Sequence, residues 1–355
     1  MYLEFSNTIS LLIYSGIIFF SFFVTKAYYH FLPKNYFLRF LIITIAVTPL
    51  CLIFAMRDQS VGEDYYHYTS LMKSLVEGNY SLDDLKYIYG EITFNFLCYL
   101  IARLSSSHFL SLYLLAYTFL ITAFLAIQTL KQYVDCPLCW LFYLSVYYLQ
   151  SYNILRQVFA ISIAVFAIRF IIEKKVYAFI ATIALASLFH NSVLILLVYY
   201  FFINIKVSLV TKILCFVFAV LFSQALLSAI RYGGYLGSSK STLFIIFKWF
   251  SQLAILLPLS IPILCNKNDT NKVFSRFSLV FQMILPLLSL LTDLFGRETT
   301  LTYIIIIFLS SKFSKQNFFV LIYSFLFFIA YYFIYTFYFG NNCTVYPYII
   351  NTTQF

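Results

Sequence analysis

Three arginines stand where a helical membrane protein has least use for them. Arg57 follows the apolar run 38–56, Arg156 opens the run that begins "RQVFAISIAVFAI", and Arg297 separates "LSLLTDLFG" from "ETTLTYIIIIFLSS". A guanidinium stays charged at any relevant pH and presents a planar fork of N–H donors that matches phosphate. Near the bilayer centre a charge costs ~2.5–3.5 kcal/mol on insertion scales, so an ionisable group there is a candidate for function. The competing reading is a side chain that snorkels to the headgroups, which suits Arg169, four residues before Glu173. Three guanidinium groups facing one cavity would suit a lipid-linked pyrophosphate, with its head at the interface and its hydrocarbon in lipid. A carboxylate or a headgroup would suit them as well.

Carboxylates and tyrosines follow the first arginine in "RDQSVGEDYYHYTSL". Glu63 and Asp64 could take a proton from an attacking sugar hydroxyl. Tyr65, Tyr66, His67 and Tyr68 offer flat amphipathic faces and polar atoms for a pyranose. A solvated loop with interfacial tyrosines has the same composition. His190, beside Asn191, is a further candidate base, whereas Gln150, Asn153 and Gln157 suit hydrogen bonds between helices.

The elements that must hold these groups follow from composition. The 355 residues are 63% hydrophobic and 22% aromatic, with only 10% charged, which marks an all-α polytopic transmembrane bundle. A span takes ~20 apolar residues, and such runs recur at 9–28, 38–56, 108–130, 209–230, 242–264, 277–295 and 318–340. They are continuous and not alternating, so no barrel is indicated. The first is expected to be a retained span, with no cleavage site behind it. Including short broken or re-entrant helices, about 12–13 segments are expected in one integral membrane domain, 1–355.

Orientation comes from the basic residues. With 26–39 cytoplasmic, thirteen basic residues fall inside, from Lys26, Lys34 and Arg39 through Lys131, Lys174 and Lys175 to Lys312 and Lys315, as the positive-inside rule expects. Residues 57–107 then form an external region whose segment 91–104 is a short interfacial or re-entrant helix, and the tail from 341 is external too. The run 177–204 must break near His190. Arg57, Arg156, the His190–Asn191 vertex and Arg297 all come to one depth on the outer side. Short helix ends at that depth must line a cavity or be buried in protein.

Other features carry less. The seven cysteines form no disulfide framework, and the lone "CPLC" at 136–139 has no partner pair for a metal. No DxD occurs, so neither metal nor cofactor is expected. The net charge of +10 is spread over short loops, which argues against nucleic acid. "YGGYLGSS" at 232–239 could act as a lid, and "CNKNDTNK" at 265–272 reads as a cytoplasmic turn.

Several of these features together resemble the EpsG-like group of bacterial exopolysaccharide and O-antigen polymerases, the Wzy type. The matching residues are Arg57, Val61, Gly62, Asp64 and Tyr68, then Glu91, Phe94 and Asn95, then Asn153, Arg156 and Gln157. His190 and Ser192, Arg297 ahead of Tyr303, and Pro347 with Tyr348 complete the order. At position 63 a glutamate stands where the group more often has threonine.

The resemblance implies a polytopic C-type glycosyltransferase in the bacterial inner membrane with its active site facing the periplasm. It would move a growing glycan from undecaprenyl pyrophosphate to a lipid-linked repeat unit, with membrane lipid and a chain-length regulator protein as further partners. Arg156 and Arg297 are expected on the leaving pyrophosphate and Arg57 on a second phosphate. Asp64 is expected as the base, with His190 or Glu63 as alternatives. Gln157, Tyr65, Tyr68, Glu91, Tyr303 and Tyr348 are expected in the substrate site. The rival readings are an O-antigen ligase, a lipid-linked oligosaccharide flippase and a membrane acyltransferase. A flippase would need polar groups continuing inward, and residues 158–168 are almost wholly apolar.

Overall fold

The computed structural model describes residues 2–31, 35–62, 64–88, 90–197, 200, 293–315, 317–334 and 348–351. Capping residues mark where the apolar runs become helices. Asn35 accepts from the Phe37 N–H at 2.8 Å ahead of α2 (Tyr36–Met56), which follows α1 (Asn7–Phe31). Ser107 accepts from Leu110 at 3.2 Å ahead of α5 (His108–Thr129). Asp135 accepts from Leu138 at 3.0 Å ahead of α6 (Cys136–Tyr147), and Pro137 sits in the first turn, where no intrahelical N–H is required. Between α2 and α5 lie two shorter helices, α3 (Tyr65–Val76) and α4 (Ile92–Leu104). After α6 come a 3-10 turn at Gln150–Tyr152 and then α7 (Leu155–Ile172).

The chain divides into two compact units, Met1–Phe166 with Leu185–Asn191 and Phe325–Phe355, and Ala167–Ala184 with Ser192–Ser324. In the first unit α1 packs on α2 and α6, α2 on α5, and α3 and α4 on each other and on α5. Side-chain bonds fix these pairings. Tyr113 and Tyr117 meet Thr48 and Thr44 at 3.1 and 3.0 Å, so α5 runs antiparallel to α2. Trp140 donates to Ser21 at 2.9 Å, and Tyr143 meets Ser162 at 2.8 Å. In apolar surroundings such bonds hold helices together where hydrophobic burial gives little preference.

In the second unit α7 ends where Lys174 takes φ 57° and the Lys175 N–H returns to the Phe170 carbonyl at 2.9 Å, a left-handed stop. Arg169 and Lys175 both pair with Glu173, at 2.5 and 2.7 Å. Next come α8 (Val176–Ser187) and a 3-10 turn at Asn191–Ile195, so the run does break near His190. Helix α9 (Asp293–Ser314) follows, and α10 (Phe318–Ile334) belongs to the first unit from Phe325 on.

The chain is an all-α multi-pass membrane protein. Among the described residues four helices, α1, α2, α5 and α7, are long and apolar enough to cross a membrane, and α1, α2 and α5 match the runs expected for them. The expected spans 209–230 and 242–264, and 277–292 of a third, lie outside the described residues, as do Glu63, the 232–239 loop and the 265–272 turn.

Among the described residues one strand pairing stands apart from the helices. Strand β1 (Tyr2–Glu4) pairs antiparallel with β2 (Ile349–Asn351). Arg57 bridges to Ile350, and the Asp58 N–H donates to Ile349 at 2.7 Å. Three distant segments therefore meet at one end of α1 and α2, while Lys26, Arg39 and Lys131 belong to the opposite end.

Gly62 ties this end together, because its φ is +110° and a Cβ there would lie 2.5 Å from the Tyr152 carbonyl oxygen. Both the backbone conformation and the space exclude a larger residue. Gly62→Ala is expected to destabilise the protein by about 1–3 kcal/mol, read as a lower thermal midpoint of the detergent-purified protein and lower abundance in membranes.

Candidate functional site

Arg57 is the C-cap of α2 and is 0% exposed. Its guanidinium carbon lies 3.4 Å from the ring centre of Tyr65, 3.6 Å from that of Tyr152 and 4.0 Å from that of Phe54. None of its three guanidinium nitrogens has a hydrogen-bond partner among the described residues. Tyr65 donates to the Phe54 carbonyl at 3.1 Å, Tyr348 to Ile53 at 2.9 Å and Tyr148 to Leu50 at 2.8 Å. Tyr65 and Tyr348 serve carbonyls of the last turn, which a helix end leaves without partners, Tyr148 adds a bond to Leu50 one turn earlier, and the caged cation sits at the negative end of the α2 dipole. Tyr348, also 0% exposed, packs edge-on against Tyr14, which in turn meets Tyr152. Arg57, Tyr65 and Tyr348 were expected to line an open cavity. They are enclosed in protein instead, because the helix end offers the cation rings and the phenols carbonyls.

Arg156 has different surroundings. Its Nη1 donates to Glu91 Oε2 at 2.6 Å, and the two side chains remain 19% and 20% exposed. Gly90 makes this approach possible: with φ +114°, a Cβ there would fall 2.5 Å from Nη1. Asn95 steadies the same loop through its amide, which donates to Leu85 and Ile88 at 3.3 Å each. Asn153 and Gln157 are buried on either side of Arg156 in the chain.

Tyr68 joins this group from α3. Its ring meets Phe94 edge-on at 5.9 Å. Burial pushes its phenol up to about 12, although Arg156 beside it pulls the other way and the Asp64 carboxylate adds to the rise. Tyr68 thus feels both Arg156 and Asp64. Asp64 caps the start of α3 without using its side chain, and it is exposed. The helix divides its aromatic residues by face: Tyr65 and Tyr68 point inward, while Tyr66 (57% exposed) and His67 face out.

His190 is half-buried, and Phe189 packs on Phe159 with ring centres 4.7 Å apart. That contact puts the vertex beside α7, one turn from Arg156. In the second unit, Arg297 lies on α9 and Tyr303 is buried on the same helix. Sequence reasoning missed Gly90, Phe54, Tyr14 and Tyr152. Gly90, directly ahead of a candidate acid, was the one legible signal among them.

The fold and this end of the first unit define a class: a polytopic helical membrane protein with a part-exposed arginine–carboxylate pair beside an exposed acid. A family model described as the EpsG family matches residues 40–350. The chain belongs to the EpsG family, a family of polysaccharide polymerases, and so to membrane proteins with a glycosyltransferase-like role. No curated protein and no solved structure matches it.

The raised Tyr68 phenol has a checkable consequence. A group held protonated by folding contributes its full stability below its ordinary value of 10.0 and loses it as the pH rises towards about 12. Between those values Tyr68→Phe is expected to lose less stability than the wild type, measured as thermal midpoint against pH in detergent. Parallel curves would remove Tyr68 as a contributor.

Proposed function

We propose that the protein polymerises lipid-linked repeat units of an O-antigen or exopolysaccharide, acting at the periplasmic face of the inner membrane. The observation that carries this reading is the Arg156–Glu91 pair at 2.6 Å, part-exposed at the start of a span and sharing Tyr68 with the exposed Asp64. In the proposed reaction an acceptor hydroxyl attacks the anomeric carbon of a glycan on undecaprenyl pyrophosphate. A new glycosidic C–O bond forms as the bond to pyrophosphate breaks. Asp64 takes the hydroxyl proton, and undecaprenyl pyrophosphate leaves with its negative charge facing Arg156. Donors aimed at developing charge are worth several kcal/mol in such steps. Glu91 and Gly90 hold the guanidinium in place before the substrate arrives. Arg297 is assigned to the same leaving group from the family resemblance, and His190 is the alternative base.

A deletion strain tests the reading through its glycan profile. A polymerase is expected to leave a single repeat unit on the lipid core, whereas loss of a flippase would leave none at the surface. With purified protein and lipid-linked repeat units, Arg156→Lys keeps the charge but loses the fork, and kcat is expected to fall about 10²–10³-fold. Asp64→Asn is expected to lower kcat by about 10²–10⁴. Undiminished chain length with Arg156→Lys would take that residue out of the site.

A further inference from the structure

We infer that Arg57 is a positioning residue: stacked on Tyr65 and Tyr152, its guanidinium sets the start of α3 against the turn that leads into α7. Asp64 immediately precedes Tyr65, and Arg156 follows Tyr152 by four residues, so the two candidate reacting groups are registered through one side chain. What Asp64 and Arg156 do is taken from the polymerase reading above. The registration itself rests on packing.

Four observations support it. First, Arg57 is 0% exposed, so it offers no surface to a phosphate. Second, its two shortest ring contacts, 3.4 and 3.6 Å, are to the residues that begin α3 and end the 3-10 turn before α7. Third, its nitrogens have no hydrogen-bond partner among the described residues, so the rings and the α2 terminus are what hold the cation. Fourth, a second tie runs parallel to the first, with Gly62 packed on the Tyr152 carbonyl and Asn153 Oδ1. A guanidinium is flat and weakly hydrated and can lie between two rings; the compact, strongly hydrated lysine ammonium cannot replace that contact.

A phosphate ligand and a stacked spacer respond differently to the same substitutions. In full-length protein, Arg57→Lys, which keeps the charge, and Arg57→Met, which keeps an unbranched side chain without the charge, are expected to lose kcat alike. The fall should be about 10²-fold, as misplacement of reacting groups can cause, with KM for the lipid-linked donor unchanged. Without substrate, backbone amides of 62–69 and 150–158 should exchange hydrogen faster together in both variants, while those in the middle of α5 do not change. Activity retained by Arg57→Lys but lost through KM in Arg57→Met, with unaltered exchange, would overturn the inference in favour of a phosphate contact. If neither variant accumulates, Tyr152→Leu removes one ring, leaves the charge and carries the same two expectations, with Tyr152→Phe as the conservative rescue. Should the wild type fail to polymerise, the functional reading falls while the exchange experiment still judges the inference.

Discussion

The first unit is organised around one cation held without a counter-ion among the described residues. Burying a guanidinium carries an effective penalty of several kcal/mol even after relaxation. Around Arg57 three ring faces approach within 4.0 Å, and a desolvated cation–π contact contributes ~2 kcal/mol or more. The α2 terminus adds up to ~2 kcal/mol in a buried geometry. Tyrosine suits two of the three ring positions because ring and hydroxyl act together. The Tyr65 face receives the charge while its hydroxyl serves the Phe54 carbonyl. The Tyr152 face does the same while its hydroxyl donates to Tyr148, which serves Leu50. Cage and helix cap are therefore one arrangement, and neither can be altered alone.

That arrangement explains how irregular backbone can sit at this end of the bundle. Helix α6 has only 12 residues and stops short of a full span. Its continuation through Gln150–Asn153 carries polar side chains that would be costly in hydrocarbon. They are buried in protein, and the Gln150 amide donates to Tyr331 at 3.2 Å on α10. The terminal ribbon closes the other side, with the Tyr348 N–H on Ser10 and its hydroxyl on Ile53. Tyr2–Glu4 and Ile349–Asn351 are thereby anchored to the same helix end as the cation.

The long spans were legible because apolar length alone specifies them. Helix α6 was not, since its apolar run is shorter than a bilayer crossing and its end is defined by a buried polar turn. The β1–β2 ribbon was invisible because three residues at each terminus carry no periodicity. Arg57 illustrates the deeper limit: an arginine after an apolar run can face water, phosphate or rings, and its partners here stand 8 and 95 residues further on, at Tyr65 and Tyr152. Tyr65 and Tyr68 could have been separated from Tyr66 and His67 by their three-residue spacing. Reading the segment as a loop hid that face. Glu91 and Arg156 were each legible as candidates, but their pairing across 65 residues was not.

The two arginines illustrate opposite solutions to placing charge near lipid, and only one of them suits exchange. Arg57 is surrounded by groups that cannot leave, since its rings are fixed by helix packing and, for Tyr65 and Tyr152, by hydrogen bonds to the Phe54 carbonyl and the Tyr148 hydroxyl. Arg156 is held by a carboxylate whose side chain keeps some solvent contact. An anion of higher charge can compete with Glu91 for such a guanidinium, because the pair is open to solvent on one side. Gly90, by admitting the loop backbone to within contact of Nη1, lets Glu91 hold the fork in position without burying it. The proposed polymerisation, which binds and releases a pyrophosphate ester at every addition, calls for a guanidinium that is held in aim yet remains within reach of solvent.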